Sequence, residues 1–114
     1  MKLFEKYKLK IMEINGSINV STIDKQTRIL SHFLDYWNKT KDIKEDLLPE
    51  LNLVIEGSQF KNDIGADVVG LAIVDTNSTL ICMSELDFSD MELPTKDFQG
   101  LVLEWLNFLE SKGK

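Results

Sequence analysis

Polar and apolar residues alternate near the start of the chain, and the period then changes. Between Lys6 and Ile11, the residues Lys6, Lys8 and Lys10 hold one set of positions and Tyr7, Leu9 and Ile11 the other. A period of two is that of a half-solvated strand. Asn15-Gly16 follows, and then Ile18 and Val20 alternate with Asn19 and Ser21. An Asn-Gly pair between alternating runs predicts a hairpin, because a type I′ turn needs positive φ at both central residues. Strands are expected over 6–14 and 17–21. The spacing of Leu3, Tyr7, Ile11 and Ile14 also permits a helix over 2–14, and the two readings stay open.

The period then lengthens. Ile29, Leu30, Phe33, Leu34 and Trp37 recur at helical spacing, which predicts an amphipathic helix over 24–39. Ser21 and Asp24 ahead of it have capping-box spacing. Residues 43–56 fit two patterns. Leu47, Leu48, Leu51, Val54 and Ile55 share a helical face, and Gly57 suits a C-terminal cap. Pro49 would then belong in the first turn, with Asp46 as N-cap. Leu51, Leu53 and Ile55 equally fit a strand; the helix is preferred.

Two β-rich runs come next, Asp67–Asp75 and Thr79–Glu85, joined by Thr76-Asn77-Ser78. They predict an antiparallel hairpin. In the first run Val69, Leu71 and Ile73 make a bulky face, and Val68, Gly70, Ala72 and Val74 make a smaller one against which a helix can pack closely. With both faces apolar, a central, covered strand is expected. Pro94-Thr95 then opens a final helix, with Thr95 as N-cap and Asp97 at the positive end of the dipole. Its stripe is Phe98, Leu101, Val102, Trp105, Phe108 and Leu109, and Gly113 marks the stop. The predicted fold is α+β: a small antiparallel sheet, formed by the N-terminal hairpin and the central hairpin, packed against two or three helices. A single domain over 1–114 is expected, with Trp37 and Trp105 in one core.

Composition supports one self-sufficient core. In 114 residues, 43% are hydrophobic, including six Phe, two Trp and two Tyr, enough to fold without a disulfide or metal. The lone Cys82 cannot form an intramolecular disulfide, a usage that fits a reducing cytosol. The N-terminus, MKLFEKYKLK, does not resemble a signal peptide, and the longest apolar run, Val68 to Val74, is too short to span a bilayer. A cytoplasmic protein without membrane contact is expected.

Charge adds an asymmetry. The net charge of −6 divides into nine Lys/Arg against eight Asp/Glu in residues 1–55, and four against eleven in residues 56–114. Nucleic-acid binding draws on clustered positive charge, so direct contact with nucleic acid is not expected. An acidic half suits a basic protein partner, although acids also serve solubility.

The residues offer little catalytic chemistry. His32, the one conventional base, lies on the predicted helix between Ser31 and Phe33, where a structural role at the border of the stripe is expected. Cys82 sits between Ile81 and Met83 with no basic neighbour to activate it and reads as a small core residue. The glycines match neither dinucleotide nor P-loop spacing. The expectation is no enzyme activity, no cofactor and no metal.

The segment from Glu85 to Asp97 stands out. Glu85, Asp87, Asp90, Glu92 and Asp97 face a single base, Lys96, with Leu86, Phe88, Met91 and Leu93 interspersed. Carboxylates round an apolar centre suit a basic, partly apolar partner, and these five acids are the candidate partner-binding residues. A solvated loop anchored by its apolar residues is the plainer alternative.

The run Leu80-Ile81-Cys82-Met83-Ser84-Glu85-Leu86-Asp87-Phe88, then Glu92-Leu93-Pro94-Thr95, then Phe98 through Glu104-Trp105-Leu106-Asn107-Phe108-Leu109-Glu110, resembles the C-terminal half of small bacterial immunity proteins. The shared features are a strand, an acidic turn, a Pro-plus-hydroxyl helix start and a W-x-x-F-L helix. The resemblance is confined to the C-terminal half of the chain, between Leu80 and Glu110 in the residues quoted, and transfers no binding residue by position. It implies a cytosolic inhibitor of one cognate toxin from a polymorphic or contact-dependent system, often a nuclease. The alternatives are a small acidic adapter or homo-oligomeric structural protein without a toxin partner and, more remotely, an enzyme using carboxylates. The oligomeric state is left open.

Overall fold

Asn15 and Gly16 both take positive φ, 52° and 81°. They join β1 (Lys10–Ile14) to β2 (Ser17–Ser21) in an antiparallel ribbon with Ile11 opposite Val20. That is the backbone a two-residue hairpin requires. The computed structural model describes residues 1–65, 70–82 and 89–114.

The strand starts later than the alternation predicts. Residues Lys2–Lys6 form a short helix, α1, and Lys8, at φ 59°, turns the chain into β1. Each open reading of the N-terminus therefore holds over part of its range. The first N–H groups of a helix lack partners within it. Here Leu3 and Phe4 donate theirs to the two carboxylate oxygens of Glu104, at 3.0 and 3.1 Å. The cap comes from the far end of the chain.

Helix α2 (Arg28–Tyr36) buries Ile29, Leu30, Phe33 and Leu34. It begins four residues later than expected, and Ser21 and Asp24 do not cap it. Ser21 ends β2. Asp24 instead accepts the Gln26 N–H at 2.8 Å in a local turn, a competing use of a short acidic side chain. Asp35 of α2 accepts the Val20 N–H (2.9 Å) and a bond from Asn19 Nδ2 (3.2 Å), which fastens the helix to the ribbon.

Residues 43–56 are helical, as preferred, but Pro49 does not open the helix. Helical turns run through α3 (Thr40–Asp42), a π turn (Ile43–Leu47) and α4 (Leu48–Ile55). The Leu48 N–H reaches back five residues to the Ile43 carbonyl. A proline inside a helix gives no N–H, and its ring crowds the carbonyl four residues back. The widened turn lies just where that conflict falls. Gly57, at φ 84°, closes α4 as expected.

The central hairpin is present, with Thr76 and Asn77 as its turn, and it is the middle of a larger sheet. The order is β3 (Lys61–Gly65), β4 (Leu71–Asp75), β5 (Ser78–Cys82), β6 (Met91–Pro94), all antiparallel. The N-terminal ribbon is a separate two-stranded sheet. Strands β3 and β6 were not foreseen. The outer parts of the expected runs, 67–69 and 83–85, lie outside the described residues. On the inner face Ile64, Ala72, Val74, Thr79, Ile81 and Leu93 are buried, and α2, α4 and the last helix, α5 (Thr95–Ser111), pack against the sheet. The small face of β4 is thus the one under the helices, as its composition suggests. Leu71 and Ile73 of the bulky face are only half-buried, so β4 is central without being fully covered.

Helix α5 (Thr95–Ser111) closes the core with Phe98, Leu101, Val102, Trp105, Leu106 and Leu109. Thr95 is the first helical residue and not the N-cap, a position Pro94 takes. The Thr95 hydroxyl instead donates to the Asp75 carbonyl at 2.6 Å and lies 2.8 Å from the Thr79 hydroxyl. A buried hydroxyl proton needs an acceptor; the free N–H groups of a helix N-terminus offer none, and the Asp75 carbonyl supplies it.

Candidate protein-docking face

Side chains opposite one another in an antiparallel sheet share a face, so the strand register defines the surface away from the helices. Asp63, Ile73, Leu80 and Glu92 form one row across β3 to β6, and Gly65, Leu71 and Cys82 form the next. Leu71, Ile73, Leu80 and Cys82 are all half-buried, whereas Asp63, Asp90 and Glu92 are exposed. An apolar strip therefore runs along the two middle strands, with carboxylates on both flanks and the exposed Lys61, two residues from Asp63 on β3, at one end of the same face.

The electrostatics of Cys82 agree with this arrangement. Burial pushes its thiol pKa up, and the charges of Asp90 and Asp63 push it further. Those acids approach from opposite edges of the sheet, and both lie within electrostatic reach of one side chain. A thiol raised in this way stays protonated at neutral pH and is a poor nucleophile. Cys82 is thus on the half-open face rather than in the core where the sequence placed it. His32 is half-buried on α2 between the buried Ser31 and Phe33, at the border of the apolar stripe as expected. Among the described residues, no group of three or more His, Cys, Asp or Glu is placed to hold a metal ion.

The five acids singled out in the sequence separate. Asp90 and Glu92 flank the apolar strip. Glu92 also borders an open depression of about 320 Å³ shared with Lys6, Lys8 and Asp24. Asp97 is engaged inside the molecule, 2.8 Å from Lys6 Nζ and 2.5 Å from the hydroxyl of Tyr7. Those contacts hold its carboxyl below the usual range, Lys6 having the larger effect. Glu85 and Asp87 lie in the chain between β5 and β6, outside the described residues.

No family model, curated protein or solved structure matches the chain. No described helix is long and apolar enough to cross a membrane.

Asp63 is the member of the face that sequence reasoning missed. It sits in Lys61-Asn62-Asp63-Ile64-Gly65, where one buried apolar residue gives no alternation to read. The signal available was indirect: β4 is apolar on both sides and therefore expected to have neighbours on both edges.

Proposed function

We propose that this chain is an immunity protein, a cytosolic binder that neutralises one cognate bacterial toxin and catalyses nothing. One observation carries the reading: the half-open strip of Leu71, Ile73, Leu80 and Cys82, flanked by Asp63 on one side and by Asp90 and Glu92 on the other. Apolar anchors within a charged rim are what a protein interface needs. The sign of the rim selects a basic partner, and opposite charge raises the association rate by about 10–1000-fold. Slow release then comes from the apolar centre. A nuclease toxin, whose own substrate is polyanionic, would present such a basic surface.

A toxin-domain gene beside this chain's gene is the expected gene context, and the test is co-expression with that toxin, followed by binding kinetics at two salt concentrations. The expected result is that Asp63→Asn, Asp90→Asn, Glu92→Gln together slow association and flatten its salt dependence, with dissociation little changed. Leu80→Glu should speed dissociation and abolish protection. Full protection by both variants, with kinetics unchanged, would sink the assignment to this face.

A further inference from the structure

The two edges of the four-stranded sheet are not alike. Strand β6 has four residues and ends in Pro94, which blunts an edge. Strand β3 has neither proline nor bulge: it pairs with β4 without interruption over Lys61–Gly65, and no described strand pairs with its other side. Phe60, immediately before it, is 82% exposed. The residues Phe60-Lys61-Asn62-Asp63-Ile64 are complementary to their own reverse: apolar meets apolar at the ends, polar meets polar at the centre, and basic meets acidic between.

We propose that two copies of this chain pair through β3, antiparallel about a two-fold axis at Asn62, so that two four-stranded sheets become one of eight strands. The register follows from elimination. A two-fold axis through the sheet must place each residue opposite one on the same face, so it is centred on a residue. Centred on Lys61 it sets Lys against Lys, and centred on Asp63 it sets Asp against Asp; directly opposed like charges destabilise a pair. Centred on Ile64 it leaves Lys61 and Phe60 opposite the residues beyond the strand. Centred on Asn62, Lys61 of each copy faces Asp63 of the other, and the exposed Phe60 of each lies beside Ile64 of the other. Either hydrogen-bonding phase of the strand accepts this centre, because opposed residues can form either kind of antiparallel pair. Lys61 and Asp63 are exposed. Lys61 also lies opposite Asp75 of its own chain, whose carboxyl is held low first by backbone N–H groups and also by the charge of Lys61; a cation between two acids can serve both. Asn62 is already held from the inner face, where its Nδ2 donates to the Glu50 carbonyl at 3.2 Å. The axis keeps both outer faces on one side of the joined sheet. A dimer therefore presents two copies of the apolar strip side by side, with Asp63 of each paired to Lys61 of the other and with Asp90 and Glu92 left as its acidic flanks, whatever partner that strip takes.

Sedimentation equilibrium of the full chain, from micromolar to millimolar concentration, reads the association directly and involves no toxin. The wild type is expected to show a monomer–dimer equilibrium. Lys61→Asp and Asp63→Lys should each weaken it by at least about tenfold, since by symmetry each change converts two attractive pairs into two repulsive ones. Mixing these two single variants should restore association, because the acids of one then face the bases of the other. The double variant, Lys61→Asp with Asp63→Lys, should self-associate again. Circular dichroism verifies that each variant is folded, which is expected because both side chains lie on the surface. A wild type monomeric throughout the range overturns the proposal. So does a dimer indifferent to the single reversals, or a mixture that stays monomeric.

Discussion

The indole Nε1 of Trp105 donates a hydrogen bond to the backbone carbonyl of Trp37, at 2.6 Å. Trp105 is fully buried and Trp37 is 7% exposed. The bond ties the middle of α5 to the residue that ends α2, whose carbonyl lies past the last helical turn and needs a donor from elsewhere. Trp37 packs against Phe33, which in turn meets Phe98 of α5, and Trp105 packs against Phe4 of α1. Three helices thus converge on this pair.

An asymmetry between the two tryptophans follows. Trp37 Nε1 is buried and has no hydrogen-bond partner among the described residues, so Trp37→Phe removes a ring without breaking a described side-chain bond. Trp105→Phe leaves the Trp37 carbonyl short of its donor, at about 1–3 kcal/mol beyond the change in packing. Trp105→Ala should cost about 3–5 kcal/mol. Urea unfolding of the three variants checks the order: Trp105→Ala lowest in midpoint, then Trp105→Phe, then Trp37→Phe. A Trp105→Phe midpoint equal to that of Trp37→Phe would show that the indole bond adds nothing net.

Legibility in the sequence depended on how local each cause was. The Asn15-Gly16 turn and the apolar stripe of α5 are written in adjacent or periodic residues, and both were read. Helix α1 was read only as an alternative, because its N-terminal cap is Glu104, a hundred residues away from Phe4. No window around Leu3 contains that information. Strand β3 exists because β4 offers an unsatisfied edge, not because Lys61–Gly65 has a strand pattern of its own. The π turn falls just ahead of Pro49, a residue whose local signal points to a helix start instead. At the docking face, Asp90 and Glu92 were found from the density of acids. Asp97 was grouped with them because a sequence cannot show that Lys6 and Tyr7 fold back onto it.

That contact gives the fold a pH signature at both ends of the scale. Asp97 has a lowered pKa, so its contacts stabilise the fold above the unfolded carboxylate value of about 3.9 and are lost as pH falls through the lower folded value. Lys6 is largely exposed, so solvent screens the acid-side effect and keeps it small. The Tyr7 hydroxyl is pushed the other way, first by burial and then by its bond to Asp97. Its stabilising contribution is complete below the ordinary phenol value of about 10 and is lost as pH rises through the higher folded one. Tyrosinate absorbance in an alkaline titration should therefore contain a late component that Tyr7→Phe removes. Asp97→Asn should move that component down only part of the way, because burial is the larger cause. A complete return to ordinary ionisation would reverse that ranking.

The hydroxyls of Thr79 and Thr95, 2.8 Å apart and both fully or almost fully buried, admit only one direction of donation. The Asp75 carbonyl can only accept, so the Thr95 hydroxyl spends its proton there, at 2.6 Å. The proton between the two threonines must then come from Thr79. Replacing either residue by valine keeps the shape of the side chain, but the consequences differ. Thr79→Val removes one donor and leaves Thr95 still bound to Asp75, so its cost should be near that of a single net hydrogen bond, about 1 kcal/mol. Thr95→Val removes the acceptor of Thr79 and the donor to Asp75 together. Each stranded buried group costs about 1–3 kcal/mol, so this variant should be the less stable by at least that amount. The double variant no longer strands the Thr79 hydroxyl and should be no worse than Thr95→Val alone, a non-additivity expected of groups in one network. Thermal or urea unfolding of the three proteins provides the measurement. Equal losses for the two single variants would mean that the bond to Asp75 is not made, and with it the latch between the start of α5 and the β4–β5 turn.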